Sequence, residues 1–382
     1  MTSPSQPHDT ARGTPQRPTT LARPSRAPSL PAGLAAAMLA LPLARPAPAQ
    51  PTAPGSQAPA ATQQPAPSRA FLRAGGQPAE ALDVTTAGVL VREGAAEYIL
   101  GWDRIARIEG PLAADAARFE ALALNAWRAR ARLERGDAVA AEPLYEELFD
   151  HLEQTDGPTA LSICEGLLRC RLWRGALASA VAPWLQWARL SADHAGPVDA
   201  PLDPDVARRV RAWPMALLPI IDEPTGLVAS LPPIWLQGPS VRSMVAAGPA
   251  LLDSLHDGPG AQRARHLAEL YLAAARFEAG ERRAAPIITS PDPGVRLVAE
   301  IVLARAGDAP QQADARAALR VRLATEQPAW QEAWCRAALG RSMLLDPDPE
   351  QVLLGIAQLM HLPARFGDDQ PYLAGVALAE SA

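Results

Sequence analysis

From Pro111 onward, apolar residues recur at the spacing of a helix face. Phe119, Leu122, Ala126, Ala129 and Leu133 stand three, four, three and four positions apart. Gly136 ends that helix and Asp137 caps the next. The second helix carries Ala141, Leu144, Tyr145, Leu148 and Leu152. Proline is tolerated only in the first turn of a helix, so Pro143 predicts a start a few residues past Asp137, or a bend there. Weaker copies of the pattern follow. Leu267, Leu270, Tyr271, Ala274 and Phe277 lead into Gly280-Glu281 and then Ala284-Ala285, and Val302-Leu303-Ala304 leads into Gly307-Asp308. Asp346-Pro347-Asp348-Pro349 makes a turn, Val352, Ile356, Leu359 and Met360 form one apolar face, and Pro371 opens a last helix through Leu378.

Before Pro111 the period is shorter. Leu82, Val84, the Val89-Leu90-Val91 run and the Tyr98-Ile99-Leu100 run are separated by Thr86-Ala87-Gly88 and Glu93-Gly94, and Ile105 and Ile108 close the unit. Short β-branched runs divided by glycine turns predict a meander of three or four strands over 69–110, with Trp102 as the plug of its core. A unit this small must pack on something larger. Residues 196–239 break the helical pattern with prolines at 197, 201, 204, 214, 219, 224, 232, 233 and 239. They form an irregular excursion between a first helical half, 111–195, and a second, 240–382.

The N-terminal region reads as an export signal. Residues 1–28 are polar, arginine-bearing and proline-rich; an apolar run from Leu30 through Leu43 follows, and Ala47-Pro48-Ala49 has the small-residue form of a cleavage site. The run is shorter than the roughly 20 residues of a membrane-spanning helix. A signal peptide over 1–49 and an exported, periplasmic or secreted, chain are therefore expected. Residues 50–68 are rich in Pro, Ala, Gln, Thr and Ser, which predicts a disordered linker.

The helix, Gly-Asp turn, helix unit near 122–155 resembles a tetratricopeptide repeat. Ala129, Gly136, Asp137, Ala141 and Tyr145 stand at that family's small, glycine, acidic, alanine and aromatic positions, while Asn125 and Leu148 depart from its pattern. The resemblance implies that these five residues pack helix pairs together, and that the groove of the stack holds a protein or peptide. The Ile99-Leu100-Gly101-Trp102-Asp103-Arg104-Ile105 phrase is similar to the final strands of small SH3-like or Sm-like barrels. The expected fold is mainly α: an irregular helical-hairpin solenoid, preceded by a small β-meander and a disordered N-terminal region.

Composition narrows the chemistry. The 382 residues are 48% hydrophobic but only 5% aromatic, and much of the apolar content is alanine, which suits thin, closely packed helical layers. There is no lysine, which removes the Walker phosphate loop, Schiff-base catalysis and Ser-x-x-Lys chemistry. Net charge is −5, and the first 49 residues hold five arginines against one acid, so the body is more acidic than the whole and argues against nucleic acid. Cys164, Cys170 and Cys335 form no C-x-x-C, and the six histidines form no H-E-x-x-H. Either Cys164 or Cys170 is open to pairing with Cys335, and burial of all three as small apolar residues is preferred. No catalytic, cofactor-binding or metal-ligating residue is assigned. Nine tryptophans stand out; most read as core, and Trp213 and Trp235 in the excursion are the candidates for holding a partner. The expected function is a non-catalytic scaffold for a protein or peptide. The alternatives are a carbohydrate-active α/α-barrel enzyme, which would need two facing carboxylates, and a structural component of the cell envelope.

Overall fold

A computed structural model describes residues 66–193, 220–255, 260–281 and 283–382. The expected signal peptide, nearly all of the linker, and Trp213 lie outside the described residues.

The β-unit has one strand more than the three or four expected. β1 (Ser68–Leu72), β2 (Ala79–Thr85), β3 (Gly88–Glu93), β4 (Ala96–Leu100) and β5 (Ile105–Glu109) form an antiparallel sheet in the order β4-β3-β2-β1-β5. β1 begins inside the proline-rich stretch, where composition hides a five-residue strand. A single 3-10 turn, Trp102–Arg104, carries the chain from β4 back across the sheet to β5. Trp102 plugs the core as expected: it is buried, stacks on Phe119 with ring centroids 4.8 Å apart, and donates from Nε1 to the Thr85 carbonyl at 2.9 Å.

Eleven helices of more than two turns follow among the described residues. They are α1 (Glu120–Glu134), α2 (Ala138–Phe149), α3 (Gly157–Trp173), α4 (Leu177–Asp193), α5 (Pro239–Ser254) and α6 (Ala261–Glu278). α7 (Pro293–Ala306), α8 (Ala309–Leu323), α9 (Ala329–Met343), α10 (Pro349–Arg365) and α11 (Pro371–Ser381) complete the set. Each packs on its neighbour in sequence, and α1 with α3, α4 with α6, α7 with α9 and α9 with α11 also touch. This packing order is compatible with a stack of helical hairpins. Alanine makes the close approach feasible: Ala129, Ala141 and Ala160 are fully buried in one cluster with Tyr145. Gly166 gives the Tyr145 ring room, since a Cβ there would meet ring carbons at 2.2 Å.

Three helix ends share one device. After Arg132, Arg171 and Arg276, the chain turns through Gly136, Gly175 and Gly280, each at φ between +73° and +84°. In each turn an N–H reaches back to the arginine's carbonyl: Asp137 to Arg132, Ala176 to Arg171 and Glu281 to Arg276. Glycine alone adopts this φ without strain. The next helix differs among the three. Asp137 caps α2 directly, accepting from the Ala140 amide at 3.2 Å. Residues 283–292, by contrast, carry no helix, so the Ala284-Ala285 copy expected from sequence is absent. Pro286 and Pro291 deny that segment a regular amide ladder.

Pro143 does not delay or shorten its helix; α2 starts at Ala138 and runs through it. The same holds for Pro183 in α4. A mid-helix proline leaves the carbonyl four residues earlier without its donor. For Pro183 that carbonyl belongs to Ser179, and Arg171 Nη1 donates to it at 2.7 Å from the preceding helix. For Pro143 the freed carbonyl is that of Val139, an exposed residue, and Arg132 Nη1 covers the adjacent Ala140 carbonyl at 2.7 Å.

The described part of the excursion, 220–239, is packed among the helices. A two-residue hairpin, β6 (Ile221–Asp222) with β7 (Leu227–Val228), leads into the buried Leu231, Ile234 and Trp235. A buried loop must still satisfy its carbonyls. Helix side chains do so here. Trp184 Nε1 donates to Gly226 O at 3.1 Å and Trp334 Nε1 to Ala229 O at 3.0 Å. The hydroxyls of Tyr271 and Tyr372 donate to Leu231 O and Ile234 O. One hydrophobic cluster runs from Leu168 on α3 to Ala377 on α11 through this loop, joining the two helical halves. Met360 does not join the face expected for it. Gly355, Leu359 and Leu362 turn inward, and Met360 is 43% exposed.

All three cysteines are free and buried. Burial pushes the thiols of Cys170 and Cys335 up to about 12 and that of Cys164 higher still. In the native chain at pH 8, none should react with a thiol-specific reagent within minutes, whereas all three should after denaturation. Fast labelling of even one would contradict the packing. The proline-arginine pairing predicts a coupling. Arg171→Met should cost about 1–3 kcal/mol with Pro183 in place, and clearly less in Pro183→Ala, where the alanine N–H restores the Ser179 bond. Four denaturant titrations measure this cycle.

Candidate functional site

The β-unit and the helices meet at one polar joint. Glycine at position 157 and Pro158 open α3, and Asp156 before them gives no side-chain cap. The free amide of Thr159 instead donates to the Ala87 carbonyl, in the β2–β3 turn, at 3.2 Å. Thr159 Oγ1 donates to the same carbonyl at 2.7 Å and accepts from the Trp102 amide at 3.0 Å. The sheet therefore supplies the cap that the helix lacks. Beside this joint, the buried Asp103 carboxylate pairs with Arg130 of α1 and accepts from Ser162 Oγ of α3 at 3.3 Å. Burial would lower the Arg130 pKa, but Asp103 and Glu134 outweigh it and hold the cation above its ordinary value. Arg104 has a different balance. Burial, and then the neighbouring Arg130 charge, bring it down to about 10.

With sheet and helices fixed in this way, a cleft of ≈ 390 Å³ opens between β5 and the start of the helical stack. Ile105, Ala106, Arg107 and Ile108 form the strand wall, and Ala113, Ala117, Glu120, Ala123 and Leu124 form the helical wall. Trp102 closes the inner side. The size lies within the roughly 300–1,000 Å³ of ligand clefts, and the walls are mostly apolar. Arg73 stands in this cleft with its guanidinium over the Trp127 ring, 4.4 Å from the centroid. Its Nε is buried and makes no hydrogen bond. Burial draws the Arg73 pKa down, with Asp103 opposing. Arg107, in contrast, is bound to Glu109 at 2.8 Å.

A second polar cluster is closed on itself. Arg341 and Arg305 pair with Glu278 and Glu380, linking α6, α7, α9 and α11; Arg341 Nη2 also donates to Trp235 O at 3.0 Å. The space beside it, ≈ 20 Å³, holds about one water. Two cations meet two anions here, so no charge is left for a ligand. Among the described residues, no group of three or more His, Cys, Asp or Glu gathers as a metal-holding cluster. Nor is any helix among them long and apolar enough to cross a membrane.

The residues singled out from sequence fall elsewhere. Ala129, Ala141 and Tyr145 lie in the cluster between α1, α2 and α3, with Gly136 and Asp137 at the turn beside it. Trp235 is 1% exposed and donates to Tyr271 O at 3.3 Å, so neither ring face is open to a partner. The cleft residue Arg73 and the Trp127 ring beneath it were not singled out. Trp127 carried the available signal: it stands off the apolar face of α1, next to Ala126, and is 37% exposed. Arg73 follows a strand that sequence did not show.

No family model, curated protein or solved structure matches the chain.

Thr159→Val keeps the side chain's shape but strands the Trp102 amide. It should cost about 1–3 kcal/mol in chemical denaturation and speed hydrogen exchange at that amide. Unchanged exchange there would mean that the joint does not hold the sheet.

Proposed function

We propose that this chain is an exported, non-catalytic scaffold that holds a protein or peptide through a tetratricopeptide-like stack of helical hairpins with a small β-unit fixed to its first end. The reading for export rests on the signal-like pattern of residues 1–49. The scaffold reading rests on one observation above all: the ≈ 390 Å³ cleft where the two parts meet, lined by apolar side chains around an arginine with a spare donor. The helix order supports it, because consecutive hairpins hold a surface rigid without any reacting group. The strand order β4-β3-β2-β1-β5, with a 3-10 turn before β5, supports an SH3-like reading of the sheet.

The cleft can be blocked without touching the core, since Ala117 lines it and is exposed. Wild type and Ala117→Trp, immobilised and presented with an envelope extract, should differ. A protein retained by wild type should be lost from the variant while the melting temperature stays within about 2 °C. Equal retention would remove the cleft as the binding surface.

A further inference from the structure

β5 is an edge strand. It pairs with β1 on one side, and among the described residues no strand pairs with it on the other. Alternate N–H and C=O groups of an edge strand point away from the sheet and seek partners. Here four successive residues, Ile105 to Ile108, line the cleft. Side chains of one strand alternate between faces, so a run of four on one wall places the strand's edge, with its backbone, against the space. The register with β1 slips between Phe71 and Leu72, which leaves Ala106 unpaired. Ala106 and Arg107 are exposed.

Arg73 lines the same cleft, reaching it from the end of β1. Among the described residues no carboxylate pairs with it, and its buried Nε has no acceptor. A carboxylate is the acceptor that suits the accessible end of a guanidinium fork. Trp127 holds the guanidinium in place from behind. Glu120 also lines the cleft, but it lies seven residues before Trp127 on α1. That is about 10 Å along the helix, so a ligand carboxylate at Arg73 is clear of it.

We infer that the cleft takes an extended acidic peptide as an added strand on β5, its backbone on the outer edge of Ile105–Ile108 and a carboxylate on Arg73. This rests on the scaffold reading and names the site and the kind of segment held. The five residues of β5 span about 17 Å, enough for a peptide of four or five residues. Main-chain bonds give such a complex its affinity, and the arginine gives it its end.

The test uses the full chain and fluorescein-labelled Thr-Val-Thr-Val-Glu with a free C-terminus, followed by anisotropy. Two controls accompany it: the Gln, C-terminally amidated form without carboxylates, and a form N-methylated at alternate residues. The acidic peptide should bind, and both controls should bind at least tenfold more weakly. Arg73→Gln should remove the preference for the acidic form, and Arg73→Lys should keep part of it, with melting curves showing that both fold. Equal binding of the three peptides, or an unchanged preference in Arg73→Gln, overturns the inference. If no peptide binds while the Ala117→Trp comparison still shows a partner lost, this inference falls and the scaffold reading stands. If neither shows binding, both fall.

Discussion

The contact on which the rest depends is the shared carbonyl of Ala87. A helix begins with amides that have no partner inside it, and α3 begins without a side-chain cap. The Ala87 carbonyl accepts from the Thr159 amide and hydroxyl, and that hydroxyl accepts from Trp102. One residue thus ties the β2–β3 turn, the start of α3 and the 3-10 turn before β5 into one joint. The Trp102–Phe119 stack and the Asp103–Arg130 pair lie around it. The joint thus ties β5 and α1, the two walls of the cleft, into one frame.

The helical part uses a different means to the same end. Alanine buries little area, so a stack rich in it gains less from each contact than one built on leucine. Directional bonds add to it. Indole and phenol groups reach the carbonyls of the buried loop, and arginines reach the carbonyls beside mid-helix prolines. The closed cluster of Arg341, Arg305, Glu278 and Glu380 links four helices and the loop. The abundance of tryptophan thereby has a structural account: Trp184, Trp235 and Trp334 each bury their rings and spend their one donor on a backbone carbonyl.

What sequence showed and what it hid follow from range. The α1–α2 hairpin was legible because its signals are local: an apolar face, a glycine turn and an aspartate cap within thirty residues. Trp102 was legible as a plug because it sits between strand runs. Pro143 misled, because the carbonyl it frees belongs to Val139, an exposed residue, so the helix runs through it from Ala138. Ala284-Ala285 misled because two following prolines outweigh helix propensity. Trp235 looked like a loop aromatic on a surface, yet the loop is interior, and only the long-range bonds to its carbonyls reveal that. Arg73 was invisible, since its role arises from β1, α1 and β5 meeting, and no spacing encodes that meeting.

The reach of Arg171 across its turn sets a rule for the length of that turn. A residue inserted between Arg171 and Leu177 would shift the register of the following helix, about 100° per residue, and carry Ser179 out of range. The freed carbonyl would then face the packed side of the hairpin with nothing to meet it.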